Sequence, residues 1–223
     1  ITSPVSGTVR AIVRGPKRRL DQIQIEADAT TSYHDFGKGL PQDAETAKAT
    51  LLNSGAWTLL EMRPYARMAS PNDNPKAIFV NGMSSAPFAT EASIALAGRE
   101  EAFTAGLKVL NLLAPQTVLS LHAEESAPVL TQATGVDIHR FSGKHPAGNT
   151  SVHIAAVSPL NKGEVIWTIT AQDVAIIGDL FLKGQYCLDR VLSVAGSGME
   201  TAQYYRLRGG MNLSALFAAK AKP

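Results

Sequence analysis

The sequence has a single cysteine, Cys187, among its 223 residues. One thiol cannot form a disulfide within the chain, a zinc cage of several thiolates or a complete iron–sulfur site. Any redox chemistry in this chain must therefore come from a bound organic molecule.

The sequence also has no excess of charge of one sign. Its 21 basic and 19 acidic residues leave a formal net charge of +2. Proteins that bind nucleic acid usually concentrate Lys and Arg on one stripe, so this balance argues against nucleic acid as a partner. Apolar runs such as Val174–Ile177 are far shorter than the roughly 18–20 residues that cross a membrane, and we expect no transmembrane span.

The sequence does contain an alternation of apolar runs and helical patterns. In the clearest helical pattern, Phe103, Leu107 and Leu110 recur on one face. The alternation predicts an α/β fold with a mostly parallel sheet and helices on both of its faces. The predicted strands are 76–81, 117–121, 136–141, 165–169 and 190–194, and the proline-rich segment 63–75 is predicted to be an irregular loop.

Short β segments flank this region. Residues 5–26 predict a hairpin with five basic residues between Arg10 and Arg19 and no acidic residue among them. This cluster is either a solvated rim or a docking patch for anionic lipid, phosphate or an acidic protein face. Residues 204–223 predict a further strand, a turn and a helix. Because the chain opens on a strand-like segment without an initiator methionine, we expect it to be a piece of a longer protein.

The loop 142–150 is a candidate ligand site because ligands of open α/β sheets bind beyond the carboxyl ends of the strands. It contains two glycines, Lys144 and His145, and ends at a predicted helix start. Free backbone N–H groups there can hold a phosphate or a polarised carbonyl oxygen, and His145 can donate a hydrogen bond or a proton. The alternative is a tight turn that binds nothing. The glycine fingerprints of dinucleotide-binding and P-loop proteins are absent.

The loop after Asn81 partly resembles the nucleophile elbow of hydrolases. Ser84 follows a predicted buried strand, and Asp137 and then His145 or His153 come later in the order of a hydrolase triad. The second glycine of the elbow is absent, which leaves acyl transfer as a minor hypothesis. The spacing of the histidines predicts no metal site.

Six segments, in order over nearly the whole chain, carry a resemblance to a known family. They are 6–18, Ser54-Gly55-x-Trp57-Thr58, Arg63-Pro64-Tyr65, 77–80, Phe141-Ser142-Gly143-x-His145-Pro146-Ala147-Gly148 and 172–174. Together they resemble NqrA, a component of the bacterial sodium-translocating NADH:quinone oxidoreductase (the Nqr complex). The Trp-Thr and His-Pro-Ala-Gly pieces are the most specific.

The resemblance implies three domains. Residues 1–28 would be part of a barrel-sandwich domain of the biotinyl/lipoyl type. Residues 43–200 would form a Rossmann-like domain similar to the NADH-binding subunit of complex I, and residues 201–223 would begin a β-grasp domain.

The resemblance further implies a peripheral subunit on the cytoplasmic side of the bacterial inner membrane. Its complex would pass electrons from NADH to ubiquinone and translocate Na⁺. The subunit would have no tightly bound redox centre, ubiquinone would be a substrate, and NAD and flavin would be bound by other subunits. Its partners would be the membrane and flavin-bearing subunits.

On this basis we predict that the chain contributes to ubiquinone binding. Apolar and aromatic groups at two strand ends would stack on the quinone ring, and a cation or an imidazole would meet a quinone oxygen. The predicted residues are Arg63, Tyr65, Met83, Pro87, Phe88, His145 and Gly148. Two alternatives stay open: an assembly module without a small-molecule ligand, and a residual flavin- or NADH-binding domain that uses the turn 143–148.

Overall fold

The computed structural model describes residues 2–222, so Ile1 and Pro223, the outer ends of two predicted domains, lie outside the described residues. The strands are β1 (Gly7–Arg14), β2 (Leu20–Ala27), β3 (Glu61–Arg63), β4 (Arg67–Met68), β5 (Ile78–Asn81), β6 (Thr117–His122), β7 (Asp137–Phe141), β8 (Ile166–Thr170), β9 (Asp189–Val194) and β10 (Gln203–Arg208). The helices are α1 (Ala44–Ser54), α2 (Ala92–Leu96), α3 (Glu100–Leu113), α4 (Pro128–Thr131), α5 (Thr150–Val157), α6 (Ala171–Lys183) and α7 (Ser214–Lys220), with short 3₁₀ helices at Pro16–Arg18 and Ala56–Leu59.

A six-stranded sheet in the order β4-β3-β8-β5-β6-β7 lies at the centre of the fold. The four strands β8, β5, β6 and β7 are parallel, and β3 and β4 extend the sheet in antiparallel pairing beside β8. The predicted α/β fold with a mostly parallel sheet is therefore confirmed. The strand order reverses between β5 and β8, and open sheets bind ligands beyond the carboxyl ends of strands at such a point.

Alternate residues of β5 bury against opposite layers of helices. Ile78 and Val80 join a large apolar cluster with α1, α3 and α6, while Phe79 joins a smaller cluster with Ile154 of α5. Successive side chains of a strand point to opposite faces, so a strand covered on both faces becomes apolar at every position. This explains the continuous apolar run that predicted this strand.

Helices α3 and α6 touch through their backbones. A Cβ atom on Gly178 would lie 1.7 Å from the Ala102 carbonyl oxygen, and one on Gly106 would lie 2.0 Å from the Val174 carbonyl oxygen. Only glycine permits this approach. The two helices consequently form one closely packed layer over the sheet.

Capping residues and a glycine mark the ends of α1 and the start of α6. Asp43 caps α1 by accepting a hydrogen bond from the Thr46 N–H, and Gly55 ends the helix with a φ of 83°. Thr170, the last residue of β8, caps α6 by accepting from the Asp173 N–H at 3.2 Å. Because strand and helix share Thr170, the first turn of α6 starts directly at the carboxyl edge of the sheet.

Two further sheets have two strands each. The predicted hairpin is confirmed as the antiparallel pair β1 and β2, on which Val9 and Ile12 are 54% and 56% exposed. The strand predicted at 190–194 is β9, but it pairs with β10 instead of joining the central sheet. None of the helices between residues 2 and 222 is long and apolar enough to cross a membrane.

The prediction of an irregular loop over 63–75 is wrong at its beginning. Arg63 ends β3, which pairs with β8, and Arg67–Met68 form β4. These two strands have three and two residues, which is too short for an alternating pattern to reveal them.

We predict that Gly178→Ala destabilises the chain by about 2–3 kcal/mol, because a methyl group overlaps the Ala102 carbonyl and forces α3 and α6 apart. Urea unfolding followed by circular dichroism measures this change. Gly198→Ala is the matched control, since within residues 2–222 no atom other than those of its chain neighbours lies within 4 Å of the added Cβ. Equal unfolding midpoints for the two variants would contradict the close helix contact.

Candidate functional site

A crevice of about 600 Å³ opens beyond the carboxyl ends of β5 and β8, at the reversal of strand order. Its walls come from five parts of the chain. They are Arg63 and segments within 81–95, 148–151, 170–172 and 190–192. The segments 81–86 and 170–172 continue directly from the two central strands, so the sheet itself positions them.

Asn81, the last residue of β5, joins two walls of the crevice. Its Nδ2 donates to the Gly148 carbonyl at 3.0 Å and to Thr150 Oγ1 at 3.1 Å. Its Oδ1 accepts from the Met83 N–H at 2.9 Å. One amide therefore holds the loop after β5 and the chain before α5 in a fixed relation.

Ser85 makes the second connection between these walls. Its Oγ accepts from the Gly148 N–H at 2.7 Å and lies 3.2 Å from Nδ1 of His145. The hydroxyl can satisfy both contacts by accepting from Gly148 and donating to His145. A Cβ atom on Gly148 would lie 2.6 Å from the Ser85 nitrogen, so glycine is needed for the two loops to approach this closely.

The N–H groups of the turn before α5 are occupied within the protein. Ala147 donates to the Lys144 carbonyl at 2.9 Å, and Asn149 donates to the Pro146 carbonyl at 2.8 Å. The Gly148 N–H is held by Ser85. The phosphate cradle considered for this turn is therefore not available at these three N–H groups. The side chain of Asn149, the N-cap residue of α5, makes no capping hydrogen bond.

Two arginines face the crevice with their acidic partners outside its lining. Arg63 Nη2 pairs with Glu61 Oε1 at 2.7 Å, and Arg190 pairs with Asp173. The Nε of Arg63 is buried and has no hydrogen-bond partner in the described part of the chain. Because solvent cannot reach this atom, it does not face the open crevice.

Strand β9 is attached to the crevice through α6. Gln172 Oε1 accepts from the Val191 N–H at 2.6 Å, and this contact holds Val191 and Leu192 as an apolar part of the wall. Sequence analysis missed Arg190 and Gln172, because a pairing between a helix start and a distant hairpin leaves no periodic signal. Gln172 belongs to the segment 172–174, which carries part of the family resemblance, but nothing in that segment indicates the contact with Val191.

The hydrolase triad is wrong. Asp137 begins β7 and therefore lies at the opposite edge of the sheet from Ser84, and its carboxylate accepts from Gln116 Nε2 at 2.8 Å. His153 is fully buried, stacks on Phe141 with ring centroids 4.2 Å apart, and donates from Nε2 to the Ala147 carbonyl at 2.9 Å. Neither group is placed to activate a serine.

Comparison with known proteins decides the family. The sequence profile described as the NqrA second alpha/beta domain matches residues 42–186. The NqrA protein of the Na(+)-translocating NADH-quinone reductase from Saccharophagus degradans is 36% identical over 99% of this chain and 50% of its own length. The chain belongs to the NqrA family. The corresponding Pseudomonas aeruginosa protein is 37% identical over 100% of the chain and 50% of its own length.

The chain thus spans about half the length of the NqrA relatives it matches. The resemblance seen in the sequence is confirmed. A solved NAD+-reducing [NiFe]-hydrogenase in the H2-reduced state is similar in fold, with a TM-score of 0.53 and 14% identity over 87% of this chain and 45% of that one. At this identity the similarity concerns the fold alone.

In this NqrA-family chain, three of the seven predicted site residues meet at the crevice. Arg63, Met83 and Gly148 line it. The others lie outside the lining: Tyr65 and Phe88 are 72% and 69% exposed, Pro87 is exposed, and the exposed His145 reaches the crevice only through Ser85. Their role in binding stays a prediction.

We predict that Asn81→Asp destabilises the chain by about 2 kcal/mol, because a carboxylate cannot donate to the Gly148 carbonyl and repels it. Thermal and urea unfolding measure the loss. Asn72→Asp, at an exposed position, provides the control and should change stability little. A similar small effect at both positions would mean that the Asn81 amide does not hold the two loops together.

His153 should make stability depend on pH. Burial lowers the pKa of its imidazole, so the unfolded chain binds a proton before the folded chain does. The free energy of unfolding should therefore fall as pH drops below about 6.5, by up to about 1.4 kcal/mol per pH unit. Urea unfolding between pH 7 and 5 should show a shallower decline in His153→Phe than in the wild type or in the exposed control His34→Phe. Equal slopes in His153→Phe and the wild type would show that His153 does not cause the pH dependence of stability.

Proposed function

We propose that this chain is part of a peripheral subunit of a Na⁺-translocating NADH:ubiquinone oxidoreductase and that its crevice contributes to ubiquinone binding. The observation that carries the proposal is the match of 36% identity over 99% of the chain to the NqrA protein of this enzyme. The subunit would lie on the cytoplasmic side of the inner membrane and carry no redox centre of its own. NAD and flavin would be bound by other subunits.

The lining of the crevice suits a quinone because it has an apolar and a polar side. Ala89, Val191 and Leu192 contribute apolar surface. Met83 also lines the crevice, is only 4% exposed, and lies two residues after Asn81, which accepts a hydrogen bond from its N–H. A quinone ring is flat and apolar on its faces but has two carbonyl oxygens that accept hydrogen bonds. Apolar side chains would therefore receive the ring while donors meet its oxygens.

Arg63 is the donor best placed for a quinone oxygen. Its side chain lines the crevice, and its guanidinium is already held by Glu61, whose carboxylate occupies only some of its five donors. A donor fixed before the ligand binds needs no reorganisation, and a cation favours the oxygen more strongly once that oxygen gains negative charge on reduction. Arg63 would therefore bind the reduced quinone more tightly than the oxidised form.

Docking to other subunits is the second part of the proposal. An isolated two-stranded hairpin is marginally stable in water. The hairpin β1–β2 nevertheless exposes Val9 and Ile12, and the turn between its strands carries basic residues. These features support contact with partner subunits of the complex. We also propose that residues 1–28 and 201–223 belong to domains that flank the central α/β domain.

Titration of a short-chain ubiquinone by calorimetry tests the quinone proposal. We expect saturable binding to the wild type and about tenfold weaker binding to Arg63→Gln, the loss expected for one hydrogen bond to a charged group. Arg206→Gln removes an exposed arginine outside the crevice and should bind as the wild type does.

FMN and NADH serve as further ligands in this experiment. Saturable binding of either, with no binding of quinone, would favour a residual nucleotide domain. Absence of binding for all three ligands would favour an assembly module.

A further inference from the structure

We propose that Ser85 contacts the ligand of the crevice directly and that His145 is a positioning residue, which sets through Ser85 how well the oxidised quinone binds relative to the quinol. This inference rests on the proposed function, because it specifies a ligand contact at the same site. The observation behind it is a single hydroxyl group that a backbone donor, an imidazole and the wall of the crevice share.

The hydroxyl of Ser85 lies at the wall of the crevice. Ser85 and Gly148 both line the cavity, and the Ser85 Oγ joins them by accepting from the Gly148 N–H at 2.7 Å. The same Oγ lies 3.2 Å from Nδ1 of His145, which is exposed and lies outside the lining. His145 therefore reaches a ligand in the crevice by hydrogen bonding only through this hydroxyl.

The hydrogen-bonding capacity of Ser85 is nearly used up by its two protein partners. A serine hydroxyl has one proton and two lone pairs. The Gly148 N–H is a backbone group that can only donate, so it occupies one lone pair under all conditions. What the hydroxyl offers to the crevice is consequently decided by the remaining partner, the imidazole of His145.

A neutral His145 makes Ser85 an acceptor toward the crevice. When Nδ1 carries no proton it can only accept, so the serine proton is donated to it. One lone pair of the Ser85 Oγ is then left for the ligand. It can accept from the hydroxyl group of a quinol, but it has no partner on a quinone carbonyl, which only accepts. This arrangement therefore disfavours the oxidised ligand.

A protonated His145 makes Ser85 a donor toward the crevice. Both ring nitrogens of the imidazolium donate, so Nδ1 occupies the second lone pair of the serine. The serine proton is then free to bond to a quinone carbonyl. A quinol hydroxyl can both donate and accept, so its affinity changes less. Binding of the quinone should consequently weaken as pH rises and His145 loses its proton.

Few other groups near this contact titrate. The loop 82–90 has no charged or titratable residue, and the titratable residue of α5 is His153, whose pKa is lowered by burial. The cations on the turn, at the end of β7 and in the lining are Lys144, Arg140, Arg63 and Arg190. Within residues 2–222 none of these cations is hydrogen-bonded to Ser85, so they do not decide what its hydroxyl offers.

Calorimetric titration of the full chain with a short-chain ubiquinone and with its quinol tests the proposal. The titrations are made at pH 8 and pH 5.5, within the range in which histidine changes its charge. We expect the dissociation constant of the quinone to be about fivefold lower at pH 5.5, the change expected for one neutral hydrogen bond. The dissociation constant of the quinol should change less than about twofold. Circular dichroism at both pH values verifies that the chain is folded.

Two variants assign the pH dependence to His145. His145→Gln cannot titrate, so its dissociation constant for the quinone should agree within about twofold at the two pH values. His34→Gln removes another exposed histidine, and the fivefold dependence should persist in it. Ser85→Ala should also abolish the dependence, but it removes the acceptor of the Gly148 N–H. The exposed position of His145 keeps the test valid if Ser85→Ala fails to fold.

Nitrogen NMR of the His145 ring in the ligand-free chain tests the contact with Ser85 without quinone. At pH 8 we expect Nδ1 to carry no proton, and the signal is assigned by its loss in His145→Gln. A proton on Nδ1 at pH 8 would overturn the inference, whatever the quinone does. A quinone affinity independent of pH, or a dependence that persists in His145→Gln, would also overturn it and leave the proposed function standing. Absence of quinone binding at both pH values would overturn the proposed function, and this inference with it.

Discussion

The side-chain amide of Asn81 is the interaction on which the crevice depends. It stands at the end of β5, where the strand order reverses, and it bonds to the loop on its own strand and to the chain before α5. A donor and an acceptor are both needed at this position. Aspartate lacks the donor and leucine lacks both, so few residues of this size could hold the two walls together.

The remaining walls are attached by polar contacts to the helix that follows β8. Thr170 caps that helix, Asp173 holds Arg190, and Gln172 holds Val191. The hairpin β9–β10 lies outside the central sheet, yet these contacts bring it to the carboxyl edge. The crevice is thus completed by a segment that follows the central sheet in sequence.

Sequence reasoning predicted those parts of the fold that repeat a local pattern. The central strands could be predicted, because burial on both faces makes a strand uniformly apolar. The strand that pairs with β9 could not be predicted, because periodicity indicates a strand but not its pairing partner. The short strands β3 and β4 carry too few residues for any pattern.

The site residues were also predicted only in part. Met83 and Gly148 stood in loops expected at the carboxyl ends of strands, whereas Arg63 stood in the segment predicted to be irregular. The structure brings these three together. Arg190 reaches the crevice through contacts between residues far apart in the chain, which no local pattern records.

The loop after β5 differs from the phosphate-binding turn of a dinucleotide site. In a dinucleotide site, the turn after the first strand supplies backbone N–H groups to the pyrophosphate. Here the loop after β5 is drawn toward Gly148 by Asn81 and Ser85 instead. The N–H groups of Ala147, Gly148 and Asn149 are consequently used within the protein, and this turn does not offer them to a phosphate.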